Sequence, residues 1–139
     1  MLVYKELVPP ESLVKVPFIK YQTDASVANI IETWCAEHFD EPPSVAMDVN
    51  SMSTCRHFVR AGLGWSILTY MGLGSCKDKD IYVSPLRSKD GNYITRDTNM
   101  VYAKDATNLI AVKTFIEYVR NYYKEHTVVD DSIFREYKA

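Results

Sequence analysis

A chain of 139 residues, 47% apolar and 24% charged, has the composition of an ordinary globular domain. Sixteen basic against eighteen acidic side chains leave a net charge of −2. That balance argues against a domain whose main work is gripping nucleic acid, because phosphate neutralisation dominates such affinity.

No apolar run approaches the ~20 residues that span a bilayer, so no membrane partner is expected. Lys5, Glu6 and Glu11 break up the N-terminal stretch, which is unlike a secretion signal. Residues 15–21, KVPFIKY, follow Pro9-Pro10 and read as a strand. In 24–38 the apolar positions Val27, Ile30, Ile31, Trp34 and Cys35 fall at half-buried helical spacing, with Asp24 or Ser26 as cap and Pro42-Pro43 as stop. Residues 44–50, SVAMDVN, read as a second strand, and Ser51 or Ser53 caps a helix over roughly 52–61. Gly62 and Gly64 end it, and 65–70, WSILTY, is a third strand. Alternation of strand and helix with short links predicts an α/β fold with a parallel sheet.

After the loop 71–80, with its charged run KDKD, residues 81–86 look extended. A turn at Lys89-Asp90-Gly91-Asn92 leads into 93–103, where YIT and MVYA predict strand. Asp105 or Thr107 opens a last long helix, with Leu109, Val112, Ile116, Val119 and Tyr123 on one stripe. The tail 126–139 is polar and reads either as a short helix around Ser132–Tyr137 or as a frayed end.

Two Gly-Leu-Gly triplets flank the third strand, yet neither is a phosphate loop. The first follows a helix and precedes a strand, and Ile67 stands where the third glycine of a dinucleotide fingerprint would fall. The second follows a strand, but Lys77 occupies the third position and no Walker pattern is present. Gly62 fits better as the left-handed residue closing a helix.

The run VNSMSTCRHFVRAGLGWSILT resembles the signature of the effector-binding domain of LysR-type transcriptional regulators. PFIKYQTDASVANII is similar to that family's entry strand and helix, IYVSPL to its returning hinge strand, MVYAKD to the next strand and AVKTFIEYV to the closing helix. The resemblance covers about residues 15–123, with Tyr70 where the family commonly has proline. It implies a type II periplasmic-binding-protein-like α/β fold, with one complete Rossmann-like subdomain plus returning elements of the other. On that plan residues 1–14 are an incoming hinge segment, 15–80 the second subdomain, 81–125 the returning strands and closing helix of the first, and 126–139 a C-terminal tail. Family members also carry an N-terminal winged helix-turn-helix and a first half of the effector domain, and neither has a counterpart here. The chain is therefore expected to be a C-terminal part of such a regulator, meeting DNA only through a winged helix not present in it.

Ligands of open parallel sheets bind beyond the carboxyl ends of the strands. Gln22, Thr23 and Ser26 follow the first strand, Asn50, Ser51, Met52 and Ser53 the second, and Thr69 and Tyr70 end the third. The first two groups also stand at helix N-termini, where free amides favour an anion. The resemblance implies the same wall, facing a small effector. Helix-start hydroxyls are commonly caps alone, so it is the convergence of three groups that makes the candidate site.

Competing chemistry is thin. Cys35 and His38 would make half a metal site, and Cys55 and His57, two apart on a helix, point to different sides. Cys35, Cys55 and Cys76, odd in number, read as reduced thiols of a cytoplasmic protein. Arg56 could reach a carboxylate or simply face solvent, and Trp34 and Trp65 read as core. The expectation is a ligand-sensing, non-enzymatic module without cofactor, a homo-oligomer by way of uncovered apolar surface. The alternative is a fragment of a solute-binding protein from a transport system.

Overall fold

The computed structural model describes residues 1–73, 80–126 and 131–135. Gly74, Cys76, Lys77, Asp78 and Asp130 fall outside these residues, as does the end of the short helix expected at Ser132–Tyr137. Its start is a 3-10 turn, Asp131–Ile133. Two compact units divide the chain: one runs over Met1–Ile94 and takes in the segment from Ser132, the other runs over Thr95–Asp131.

In the first unit β2 (Phe18–Tyr21) and β3 (Val45–Val49) pair in parallel, from Phe18↔Val45 to Tyr21↔Val49 across one register shift. Helix α1 (Ala25–His38) makes the crossover between them. Trp65 bridges Phe18 on the other edge of β2, also in parallel, and accepts from the Ile19 amide at 2.9 Å. The three segments expected side by side therefore are so, with β2 in the middle. Beyond Trp65 the chain changes partner. β4 (Ser66–Ile67) pairs antiparallel with β1 (Leu2–Tyr4), whose other edge holds β5 (Tyr82–Ser84), also antiparallel.

Alternation along these strands sorts the core into two layers, because successive strand side chains point to opposite faces. Leu2, Phe18, Trp65 and Ile67 join Val27, Ile31, Trp34 and Cys35 of α1. Val3, Ile19, Leu68 and Val83 join Cys55 and Val59 of α2 (Met52–Arg60). Both tryptophans are core, as expected, and each indole N–H is satisfied: Trp65 donates to the Val16 carbonyl at 3.1 Å and Trp34 to that of Arg87 at 2.9 Å.

The helix ends follow local chemistry. Asp24 Oδ1 accepts from the amides of Ser26 and Val27 at 3.1 and 3.2 Å, and Ser51 Oγ accepts from that of Thr54 at 3.3 Å. Gly62 closes α2 at φ +79°, with the Leu63 amide reaching back to the Phe58 carbonyl and the Gly62 amide to that of Val59. Gly64 serves a different purpose: a Cβ there would strike the Pro17 carbonyl oxygen. The strand contact beside Trp65 requires the missing side chain.

Four expectations need correction. The first strand begins at Phe18, because Pro10–Lys15 coils into a 3-10 helix with Pro10 in its first turn. The third strand is shorter than 65–70, and Tyr70 opens the short helix α3 (Tyr70–Leu73). Residues 93–103 form no strand beyond a single antiparallel bridge from Tyr93 to Arg87, and 95–103 are solvent-exposed without a ladder. Last, neither Asp105 nor Thr107 caps the long helix. Lys104–Asn108 is a 3-10 turn in which the Thr107 hydroxyl donates back to the Lys104 carbonyl, and α4 spans Ile110–Glu125. On α4 only the middle of the expected stripe is covered: Ile116 is buried, Val112 and Val119 are half-buried, and Leu109 and Tyr123 are exposed.

Candidate functional site

The parallel arrangement puts the ends of β2 and β3 together. The Gln22 amide donates to the Val49 carbonyl at 2.8 Å, so Gln22-Thr23 and Asn50-Ser51 leave the sheet side by side. The third segment joins them through a side chain: Thr69 Oγ1 donates to Met52 Sδ at 3.5 Å. Gln22, Thr23, Asn50, Ser51, Met52 and Thr69 thus share one rim. Ser26 stands on the first turn of α1, Ser53 on the first turn of α2, and Tyr70 at the start of α3 just beyond Thr69. Asn50, Ser53 and Ser26 are exposed, while Ser51, Met52, Thr69 and Tyr70 are half-buried.

The two helix starts on this rim differ electrically. At α1 the Asp24 carboxylate already occupies the amides of Ser26 and Val27 and supplies negative charge to that end of the dipole. At α2 the cap is the neutral Ser51 hydroxyl, and no acidic residue lies in the first turn. An anion is therefore favoured at α2 over α1. Arg56 on α2 is turned toward α3, donating to the Leu73 carbonyl at 2.6 Å.

A groove of about 590 Å³ opens along α1 and the β2–β3 pair, with Gln22 and Thr23 at its rim end. Phe18, Ile31, Phe39 and Val45 give it a mostly carbon lining, with Lys20, Glu32 and Asp48 among its polar side chains.

The remaining chemistry-bearing residues stay apart from the rim. His38 Nδ1 lies 2.9 Å from the Trp34 carbonyl, its ring stacked on the Trp34 indole. Cys35 is buried, and burial followed by the Glu32 charge pushes its thiol up to about 11. Cys55 is also buried and raised above its ordinary value by desolvation, against a smaller opposing effect of the Ser66 hydroxyl. Thiols so held are poor nucleophiles. Among the described residues no cluster of three His, Cys, Asp or Glu side chains could hold a metal, and no helix is long and apolar enough to cross a membrane. One feature of the interior escaped the sequence reading: Ser66 is fully buried and bonds Cys55. A serine inside the apolar run WSIL was its signal.

The LysR substrate binding domain model matches residues 2–124. The chain is 34% identical over 119 residues to the uncharacterised HTH-type transcriptional regulator YraN of Bacillus subtilis (strain 168), an overlap of 86% of this chain and 40% of that relative. To the uncharacterised HTH-type transcriptional regulator YkuM of the same organism it is 28% identical over 105 residues, 76% of this chain and 35% of the relative. The chain belongs to the LysR substrate-binding-domain family, and with it to the periplasmic-binding-protein-like α/β folds. It spans about two fifths of the length of these curated relatives.

Proposed function

We propose that this chain is the ligand-sensing part of a LysR-type transcriptional regulator, taking a small anionic effector against the rim formed by Gln22, Thr23, Ser26, Asn50, Ser51, Met52, Ser53, Thr69 and Tyr70. One observation carries the reading: three strand ends meet there, joined by the Gln22–Val49 and Thr69–Met52 hydrogen bonds. The rim supplies hydroxyls and amides without a nucleophile or an acid–base pair, which suits recognition better than turnover. The open, neutrally capped start of α2 is the end that would meet negative charge.

On this reading residues 15–80 form one complete Rossmann-like subdomain, 81–125 return toward the other, 1–14 enter through the hinge, and 126–139 are a tail. The rim is then one wall of a two-walled cleft. Effector affinity of this chain alone is expected to be weak, since one wall leaves much of a ligand in water. In a longer regulator, effector binding would bias the angle between walls and so the spacing of winged-helix heads in a cytoplasmic homo-oligomer. The HTH-type relatives support that extension.

Two-dimensional amide NMR with acetate, succinate and benzoate tests the proposal. Shifts concentrated at Thr23, Ser51 and Thr69 are expected, strongest at α2. Shifts confined to Lys20 and the α1 groove, or to the Thr95–Asp131 unit, would place recognition elsewhere.

A further inference from the structure

A buried polar chain links three of the elements that carry the rim. Ile19 on β2, Cys55 on α2 and Ser66 on β4 are all fully buried. The Cys55 thiol donates to Ser66 Oγ at 3.0 Å, and the Ser66 hydroxyl donates to the Ile19 carbonyl at 2.7 Å. A hydroxyl has one proton, so with the Ile19 carbonyl taking it at 2.7 Å the thiol donates toward Ser66, and its sulfur also lies 3.9 Å from that carbonyl.

Its placement is systematic. Ile19 lies three residues before Gln22, Ser66 three before Thr69, and Cys55 three after Met52. Trp65 bridges Phe18 and accepts from the Ile19 amide before the strand turns away to β1. One residue further on, the connection to β2 passes from backbone to the Ser66 side chain. Cys55 stands in the first turn of α2, where its amide makes the ordinary helical bond to the Ser51 carbonyl at 2.9 Å.

Apolar contacts in this layer fill volume but resist sliding weakly, because they have no preferred direction. Hydrogen bonds in a dry interior are directional, and breaking one leaves a buried group unsatisfied. We infer that Cys55 and Ser66 are positioning residues: through Ile19 they fix the two strand ends and the start of α2 relative to one another, and so hold Gln22, Met52 and Thr69 in register for a ligand. The purpose assigned to this register rests on the rim reading; the register itself does not.

Amide hydrogen exchange on the 139-residue chain tests it with Ser66→Ala, Cys55→Ala and Cys55→Ser. Ser66→Ala removes the short partner of both groups, leaving the thiol only its 3.9 Å approach to the Ile19 carbonyl. The amides of Ile19, Gln22 and Cys55 should then exchange about tenfold faster, while those of Ala28 and Phe39, at the two ends of α1, stay within about twofold. Cys55→Ala should give the same pattern more weakly, and serves if Ser66→Ala does not fold. Cys55→Ser, which keeps a donor, should restore most of the protection. Equal acceleration in both layers, or none at the rim elements, overturns the proposal, because ordinary loss of packing would act that way. Wild-type titration with succinate separates the two claims. Localised loosening in the variants without succinate shifts at Thr23, Ser51 and Thr69 upholds the positioning role and counts against the rim reading alone.

Discussion

The two units of this chain solve the burial problem to different degrees. The Met1–Ile94 unit covers both faces of its strands, α1 over one and α2 over the other, and nearly all of the buried core lies there. In the Thr95–Asp131 unit, α4 buries Ile116 to 4% exposure yet leaves Phe115 at 60% and Tyr118 at 64%. Tyr118, Tyr122 and His126 stack along that helix in the open. The first unit has the layered core a stable domain needs. The second presents an apolar helix face that, by the same rule, calls for a covering layer.

The largest effect expected from this contrast is on stability. Trp65→Ala should cost about 3–5 kcal/mol in urea unfolding, since it empties a fully buried site at the strand junction. Ile116→Ala, although also at a buried position, should leave the transition of the first unit within about 0.5 kcal/mol. Equal losses would mean that the two units unfold as one.

Loss of the α2 cap comes next. Ser51→Ala should cost about 1 kcal/mol, because the Thr54 amide loses its acceptor.

Alkaline pH sharpens the contrast by acting on the first unit. Burial, with Glu32 beside it, raises the Cys35 thiol to about 11 from a value near 9. The folded state thus disfavours the thiolate relative to the unfolded chain. That contribution to stability is intact below pH 9 and is lost as pH rises toward 11. Cys35→Ala should flatten the decline between pH 9 and 11 in thermal melts.

The smallest stability effect belongs to the exposed face of α4. Phe115→Ser should change unfolding by no more than about 0.5 kcal/mol, while lowering self-association in light scattering. A large stability loss there would show that the face is already covered.

What the sequence disclosed and what it hid divide along the same line. Helical spacing and Asp24 marked α1, and Ser51 with Gly62 bracketed α2, because caps and left-handed glycines act within a few residues of where they stand. The rim was legible for the same reason: its hydroxyls follow strand ends and begin helices. Partner choice was not. WSILTY reads as one strand, but its pairing switches from β2 to β1 after Trp65, and the competing edge is supplied by Leu2–Tyr4, more than sixty residues away. MVYA has the composition of a strand and no ladder among the described residues, since propensity cannot supply a neighbour. The Ser66–Cys55 bond was hidden too, because it depends on which faces the strand and helix turn toward each other.

Three strand ends meet at the rim, and a through-space NMR experiment reads that directly. Cross-peaks between the Thr69 and Met52 methyl groups, together with contacts from the Gln22 amide to Val49 and Asn50, are the predicted result. Thr69 showing neighbours only from the adjoining β4 and α3, with Met52 in contact elsewhere, would contradict it.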